Sequence, residues 1–136
     1  VSEISTITVA DAAATPVNHD FVPRRVSGDL ATFAEKSASH PSGYWGLGIS
    51  LRDPQSGNGS KVYRQKVTFD MPVIVDETIN GVAVPKLLYT LRFTGDMILP
   101  ADCTLQNRKD FRKMITGIFD HALVKSTIED LDPIYG

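Results

Sequence analysis

Three candidate strands carry cations on one shared parity: Arg52 closes the first, Arg64 and Lys66 lie in the second, and Arg92 lies in the third. Side chains alternate between the two faces of a strand, so these four would project from one sheet face, together with Gly48, Ser50, Thr68 and Thr94. Cationic groups on such a face neutralise phosphates, and hydroxyls bond bases, sugars or phosphates. An Arg plane can also serve as a stacking platform for a splayed base of single-stranded RNA. The same pattern describes the solvated side of any half-buried antiparallel sheet, and periodicity alone favours that commoner case. The basic run from Arg108 to Lys113 is interrupted by Asp110 and reads as a solvated helix face.

Catalytic chemistry finds little support. The chain has no P-loop, no dinucleotide glycine fingerprint, no HExxH and no GxSxG. Cys103 could in principle be a nucleophile, but a single cysteine is more often a small buried hydrophobe. Asp76 and Glu77 fall in a candidate loop, and the acidic run Glu129-Asp130-Leu131-Asp132 at a helix end, where solvated charge is the usual meaning. His19, His40 and His121 share no metal-ligand spacing, and Cys103 has no partner for a disulfide. Neither catalytic residues, a metal nor a cofactor is expected.

A chain of 136 residues suits one domain, 1–136, with one core. Its formal net charge of −2 opposes bulk attraction to nucleic acid, so any RNA site must concentrate its positive charge on one face. Apolar runs such as Val82-Ala83-Val84 are far below the ~20 residues of a membrane span. No basic start followed by an apolar stretch marks a secretory signal.

The pattern predicts strands and turns over residues 1–97 and helix over 104–131, an α+β arrangement with a segregated sheet. Leu47, Ile49 and Leu51 alternate with Gly48, Ser50 and Arg52 in the clearest strand. Ser56-Gly57-Asn58-Gly59-Ser60 reads as the turn into a second strand, Val62 to Phe69, which Pro72 is expected to end. A loop with Asn80-Gly81 at its turn then spans Asp76 to Pro85, and a third strand runs from Lys86 to Met97. Its core parity holds Leu87, Tyr89, Leu91 and Phe93. Upstream, Ile4 to Val9 and Val17 to Val22 suggest a short hairpin, and Leu30 to Ala34 a further strand. Asp102 or Thr104 can cap a helix in which Phe111, Met114, Ile115, Ile118 and Ala122 recur at helical spacing. Val124, Ile128 and Leu131 suggest a second helix, closed by Asp132-Pro133.

In this order the features resemble the coat proteins of the leviviruses, the small single-stranded RNA phages of bacteria. The resemblance runs over nearly the whole chain. It rests on Tyr63-Arg64-Gln65-Lys66-Val67 through Pro72, on Asn80-Gly81-Val82-Ala83-Val84-Pro85, on Ala101-Asp102-Cys103-Thr104-Leu105, and on the ending Ile128 to Tyr135.

The resemblance implies an N-terminal β-hairpin, a five-stranded antiparallel sheet and two C-terminal helices that interlock in an obligate homodimer, with Phe111, Ile115, Ile118, Ile128 and Leu131 at the interface. About ninety dimers, or about 180 subunits, would close an icosahedral shell. The loop from Pro72 to Pro85 corresponds to one that changes conformation between shell positions. The implied partners are the chain itself and viral single-stranded RNA or an operator hairpin whose binding represses translation. The implied location is the virion, assembled in the host cytoplasm. Carried over by position, the RNA contacts are Gly48, Ser50, Arg52, Arg64, Lys66, Thr68, Arg92 and Thr94. Two of them depart from the family: Arg92 stands where some relatives have a stacking tyrosine, and Gly48 lacks the hydroxyl expected of an adenine pocket. Tyr89, on the core parity, is no obvious substitute. The alternatives are a non-capsid dimeric RNA-binding regulator and, further off, a small enzyme with a cleft under the helices.

Overall fold

The computed structural model describes residues 2–54 and 61–136, so the expected turn at 56–60 lies outside the described residues. The chain divides into two compact units, Val1–Ile98 and Leu99–Gly136.

The first unit is a six-stranded sheet with its strands in sequence order: β1 (Ile7–Ala10), β2 (Asn18–Ser27), β3 (Leu30–Glu35), β4 (Trp45–Arg52), β5 (Val62–Ile79) and β6 (Val82–Pro100). The N-terminal hairpin is therefore not a separate element. Its second strand runs five residues past Val22 and pairs antiparallel with β3, which joins the hairpin to the sheet. Gly28, at φ +60°, leads the two-residue connection between β2 and β3.

Pro72 does not end β5. Pairing with β4 stops at Asp70, so Pro72 lies beyond that ladder and its missing N–H removes no bond there. The expected loop from Asp76 to Pro85 is instead the end of a long hairpin. Asn80 (φ 51°) and Gly81 (φ 79°) form its two-residue turn, as Asn-Gly does where both positions need positive φ. β2 carries one irregularity: Pro23 opposes Phe33 and Arg25 opposes Thr32, leaving Arg24 as the extra residue of a bulge.

Alternation gives the sheet two unlike faces. On one, Phe21, Phe33, Trp45, Leu47, Val67, Phe69 and Phe93 gather; Phe69 meets Phe21 and Trp45 edge-on, with ring centroids at 5.8 and 6.2 Å. Yet the buried apolar side chains of the described residues are Phe21, Phe33 and Ala34, whereas Leu87, Leu91 and Phe93 of β6 stay about half exposed (51%, 50% and 45%). A sheet face this apolar is incomplete without cover.

Glu35 is buried beside that face and its carboxylate is satisfied. It accepts from the Ser37 N–H and Oγ, both at 2.8 Å, and its Oε2 lies 3.5 Å from His19 Nδ1. His19 Nε2 lies 2.9 Å from Asp11 Oδ2 at the β1–β2 connection, and its ring rests 4.7 Å from Trp45. Asp11 Oδ1 accepts from the Val17 and Ala13 N–H groups. Those backbone bonds, Val17 first, and the His19 bond hold Asp11 down from 3.8 to about 2. The bond to Asp11, and then the bond to Glu35, raise His19 above 6.5.

A pH dependence follows from these two shifts. The lowered Asp11 stabilises the hairpin above pH 3.8, an effect lost as pH falls towards about 2. The raised His19 stabilises it fully below pH 6.5, an effect lost as pH climbs through its elevated folded value. Amide exchange in 7–20, corrected for its intrinsic rate, should therefore speed up from pH 6 to pH 9, and His19→Asn should remove that rise. An equal rise in the variant would exclude His19 as the cause.

The second unit holds α1 (Leu105–Asp120) and α2 (Ala122–Glu129). Thr104 caps α1: its Oγ1 accepts from the Asn107 N–H at 3.1 Å, and Asn107 Oδ1 accepts from the Thr104 N–H at 3.3 Å. His121 separates the helices and caps the second, with Nδ1 accepting from the Leu123 N–H. α2 ends two residues earlier than the pattern predicts, and Leu131 takes a left-handed conformation at φ 55°. The Asp130 and Asp132 N–H groups both donate to the Ser126 carbonyl, which closes the helix end. No residue of either helix is buried.

Candidate nucleic-acid interface

The polar face is built by register. Gly48 on β4 lies between Thr32 on β3 and Thr68 on β5; Ser50 lies between Leu30 and Lys66; Arg52 opposes Arg64. Directly opposed residues point to the same side, so the two β-strands with the clearest alternation bring six of the expected residues together. They line an open groove of about 860 Å³, walled by Asp29, Leu30, Gly48, Ser50, Arg52, Arg64, Lys66, Thr68 and Asp96.

Arg92 and Thr94 are not among those walls. Arg92 approaches Asp70 instead, with Nε 4.0 Å from Oδ1 and both side chains more than half exposed. A contact this long and solvated contributes little. Asp70 opposes Gly46, in the row next to Gly48, so Arg92 stands near one end of the polar face. Sequence reasoning missed Asp29 and Asp96. Asp96 shares the parity of Arg92 and Thr94 on β6, a signal that could have found it, whereas Asp29 sits in the β2–β3 connection, where strand parity assigns no face. Three cations and two carboxylates thus face one groove. That balance suits a polyanion held at the basic strands and kept off the acidic rim.

Gly48 is buried at the floor. A methyl group added there would lie 2.6 Å from Thr68 Oγ1 and 3.6 Å from a Leu30 methyl carbon. The hydroxyl that Gly48 lacks is therefore present over it, supplied from the neighbouring strand. Gly48→Ala should cost about 1–3 kcal/mol through this overlap. Thr68→Ala in the same chain should recover most of that loss in a thermal-unfolding double-mutant cycle. Strict additivity would mean the two positions do not touch.

Among the described residues no cluster of three or more His, Cys, Asp or Glu side chains could hold a metal ion, and no helix is long and apolar enough to cross a membrane.

The levivirus coat protein model matches residues 2–135. The capsid protein of Pseudomonas phage PRR1 is 30% identical over 136 residues, spanning 98% of this chain and 100% of that protein. The chain belongs to the levivirus coat protein family. It is a coat protein of the levivirus type, a structural subunit that assembles with copies of itself. The subunit of the virus-like particle of bacteriophage ESE058 is 32% identical and superposes with a TM-score of 0.88, over 98% of this chain and 100% of that one. A more distant likeness is to an unassembled coat protein dimer described as a bacteriophage RNA-binding dimer. It is 16% identical with a TM-score of 0.69, over 97% of this chain and 98% of that one, and it shows the shared fold. The levivirus coat fold is thus present here, with a six-stranded sheet where the resemblance implied a hairpin and a five-stranded sheet.

Proposed function

We propose that this levivirus coat protein forms an obligate homodimer, that about ninety such dimers close a shell, and that the groove on the polar face holds single-stranded RNA inside it. What carries the RNA reading is the register that turns Ser50, Arg52, Arg64, Lys66 and Thr68 toward one groove while Leu47, Val67 and Phe69 turn to the other face. In the dimer the two units of the chain act as one coat domain. The distant relative described as an RNA-binding dimer supports RNA as a ligand of the dimer.

The dimer reading rests on what a single chain leaves uncovered. β6 is a 19-residue edge strand with exposed Leu87, Tyr89, Leu91 and Phe93, whereas β1, at the other edge, has four residues. A long apolar edge is a hazard unless paired, and a short one is tolerated. Pairing of β6 with its copy would make one sheet across two subunits. The apolar face also has an open hollow of about 360 Å³ lined by Phe21, Trp45, Leu47, Val67, Phe69 and Phe93, among others. The exposed stripe of Phe111, Ile118, Ile128 and Leu131, with half-buried Ile115, gives a partner's helices the matching apolar surface. An operator hairpin is the specific ligand of this reading, and the host cytoplasm, where the genome is translated, is the place of assembly.

Photocrosslinking of RNA inside purified particles, with mapping of the modified peptides, tests the face. Crosslinks should fall in 46–54 and 62–70. Crosslinks confined to 105–129 would refute the proposed orientation.

A further inference from the structure

We infer that RNA binding extends past the groove onto β2, where Arg25 is a phosphate contact placed on the polar face by the bulge at Arg24. This rests on the proposal that the polar face binds RNA. Without the bulge, simple alternation from buried Phe21 would put Pro23 and Arg25 on the apolar face. The pairings show the phase change. Pro23 opposes Phe33, whose row continues to Leu47 and Phe69 on the apolar side. Arg25 opposes Thr32, whose row continues to Gly48 and Thr68 at the floor of the groove. One extra residue therefore re-aims the cation, as bulges commonly do. Thr32 Oγ1 donates to the Arg25 carbonyl at 3.3 Å, a long bond spanning the two strands at this point.

Arg25 is exposed, and among the described residues it is in no ion pair. It stands two strands from Gly48, roughly 10 Å at ordinary strand spacing. A strand of RNA leaving the groove can cover that distance in a few nucleotides. Acidic Asp29 closes the adjoining direction, since it follows the Ser27–Leu30 row into the β2–β3 connection and lines the groove wall. A phosphate backbone is repelled there and drawn along the neighbouring Thr32 row to Arg25. The ligand is thus a single-stranded RNA segment longer than the groove, recognised through its backbone at this end.

The test compares full-length wild type with Arg25→Gln, Arg25→Lys and Lys66→Gln, binding a 30-nucleotide mixed-sequence RNA across a potassium chloride series. Arg25→Gln should lower affinity about three- to tenfold and flatten the slope of log K against log salt by about 0.7, the share of one single-strand phosphate contact. Arg25→Lys should retain both, because the contact is made by charge. If Lys66→Gln weakens binding and Arg25→Gln does not, the groove reading stands and the extension is wrong. If neither changes binding, the RNA reading fails and the extension with it. If Arg25→Lys loses as much as Arg25→Gln, the residue serves the bulge and not the RNA.

Discussion

Ile118→Asp is expected to abolish shell formation and leave subunits that do not dimerise at micromolar concentration. Ile118 is 56% exposed on the isolated chain and shares a helical stripe with Phe111 and Ile115. In the proposed dimer that stripe enters the apolar hollow of the partner. The variant loses the burial of a large aliphatic side chain, about 1.5–3 kcal/mol. It also places a carboxylate in a largely apolar hollow whose one imidazole, His19, already faces Asp11 and Glu35, which costs several kcal/mol more. The mutation occurs twice per dimer, so a weakening by a factor of about 10³ or more is expected. Lys113→Asp, on the same helix at an exposed polar position, makes the same helix more acidic without touching the stripe and should still assemble. Ile118→Val should assemble with a small loss of stability, about 0.5–1.5 kcal/mol per subunit. Sedimentation velocity reads all three. Intact shells from Ile118→Asp would show that this stripe faces solvent in the particle.

The second large effect concerns the groove. Neutralising Arg52, Arg64 and Lys66 together, each to Gln, should flatten the salt slope of RNA binding by about two units. At moderate salt the affinity should fall by about 10²-fold or more. These three side chains are the cations of the groove wall, and their loss leaves Asp29 and Asp96 facing the ligand. The sheet itself should survive, since none of the three is buried or in an ion pair among the described residues. Conversely, Asp96→Asn should tighten binding. A triple variant with wild-type affinity and slope would remove the groove from the RNA-binding surface.

The faces of the sheet were legible where alternation is unbroken. Leu47, Ile49 and Leu51 against Gly48, Ser50 and Arg52, and Val67 and Phe69 against Lys66 and Thr68, predict the observed pairing face by face. Asn80-Gly81 was legible as a turn because both residues tolerate positive φ. The strands around that turn were not, because Pro72 and Pro85 read as breakers. Whether a proline breaks a strand depends on where the neighbouring strand ends, and in β5 it lies past the paired segment. Arg25 was hidden for a related reason: a one-residue bulge inverts the parity of everything after it, and no residue type announces it. Asp29 at the groove rim is a matter of chain reversal, and in the proposed dimer the cover of the apolar face comes from a second copy. Periodicity in one chain reports which side chains need burial and never what buries them.

The most direct measurement is electron microscopy of the purified recombinant protein, with an ultraviolet absorbance spectrum of the same fraction. A shell subunit that takes up RNA on its polar face should give uniform closed particles whose ultraviolet spectrum is dominated by the absorbance of nucleic-acid bases and not by that of the protein's aromatic side chains. Discrete dimers that bind RNA hairpins tightly, and never assemble at any protein or salt concentration, would contradict the account.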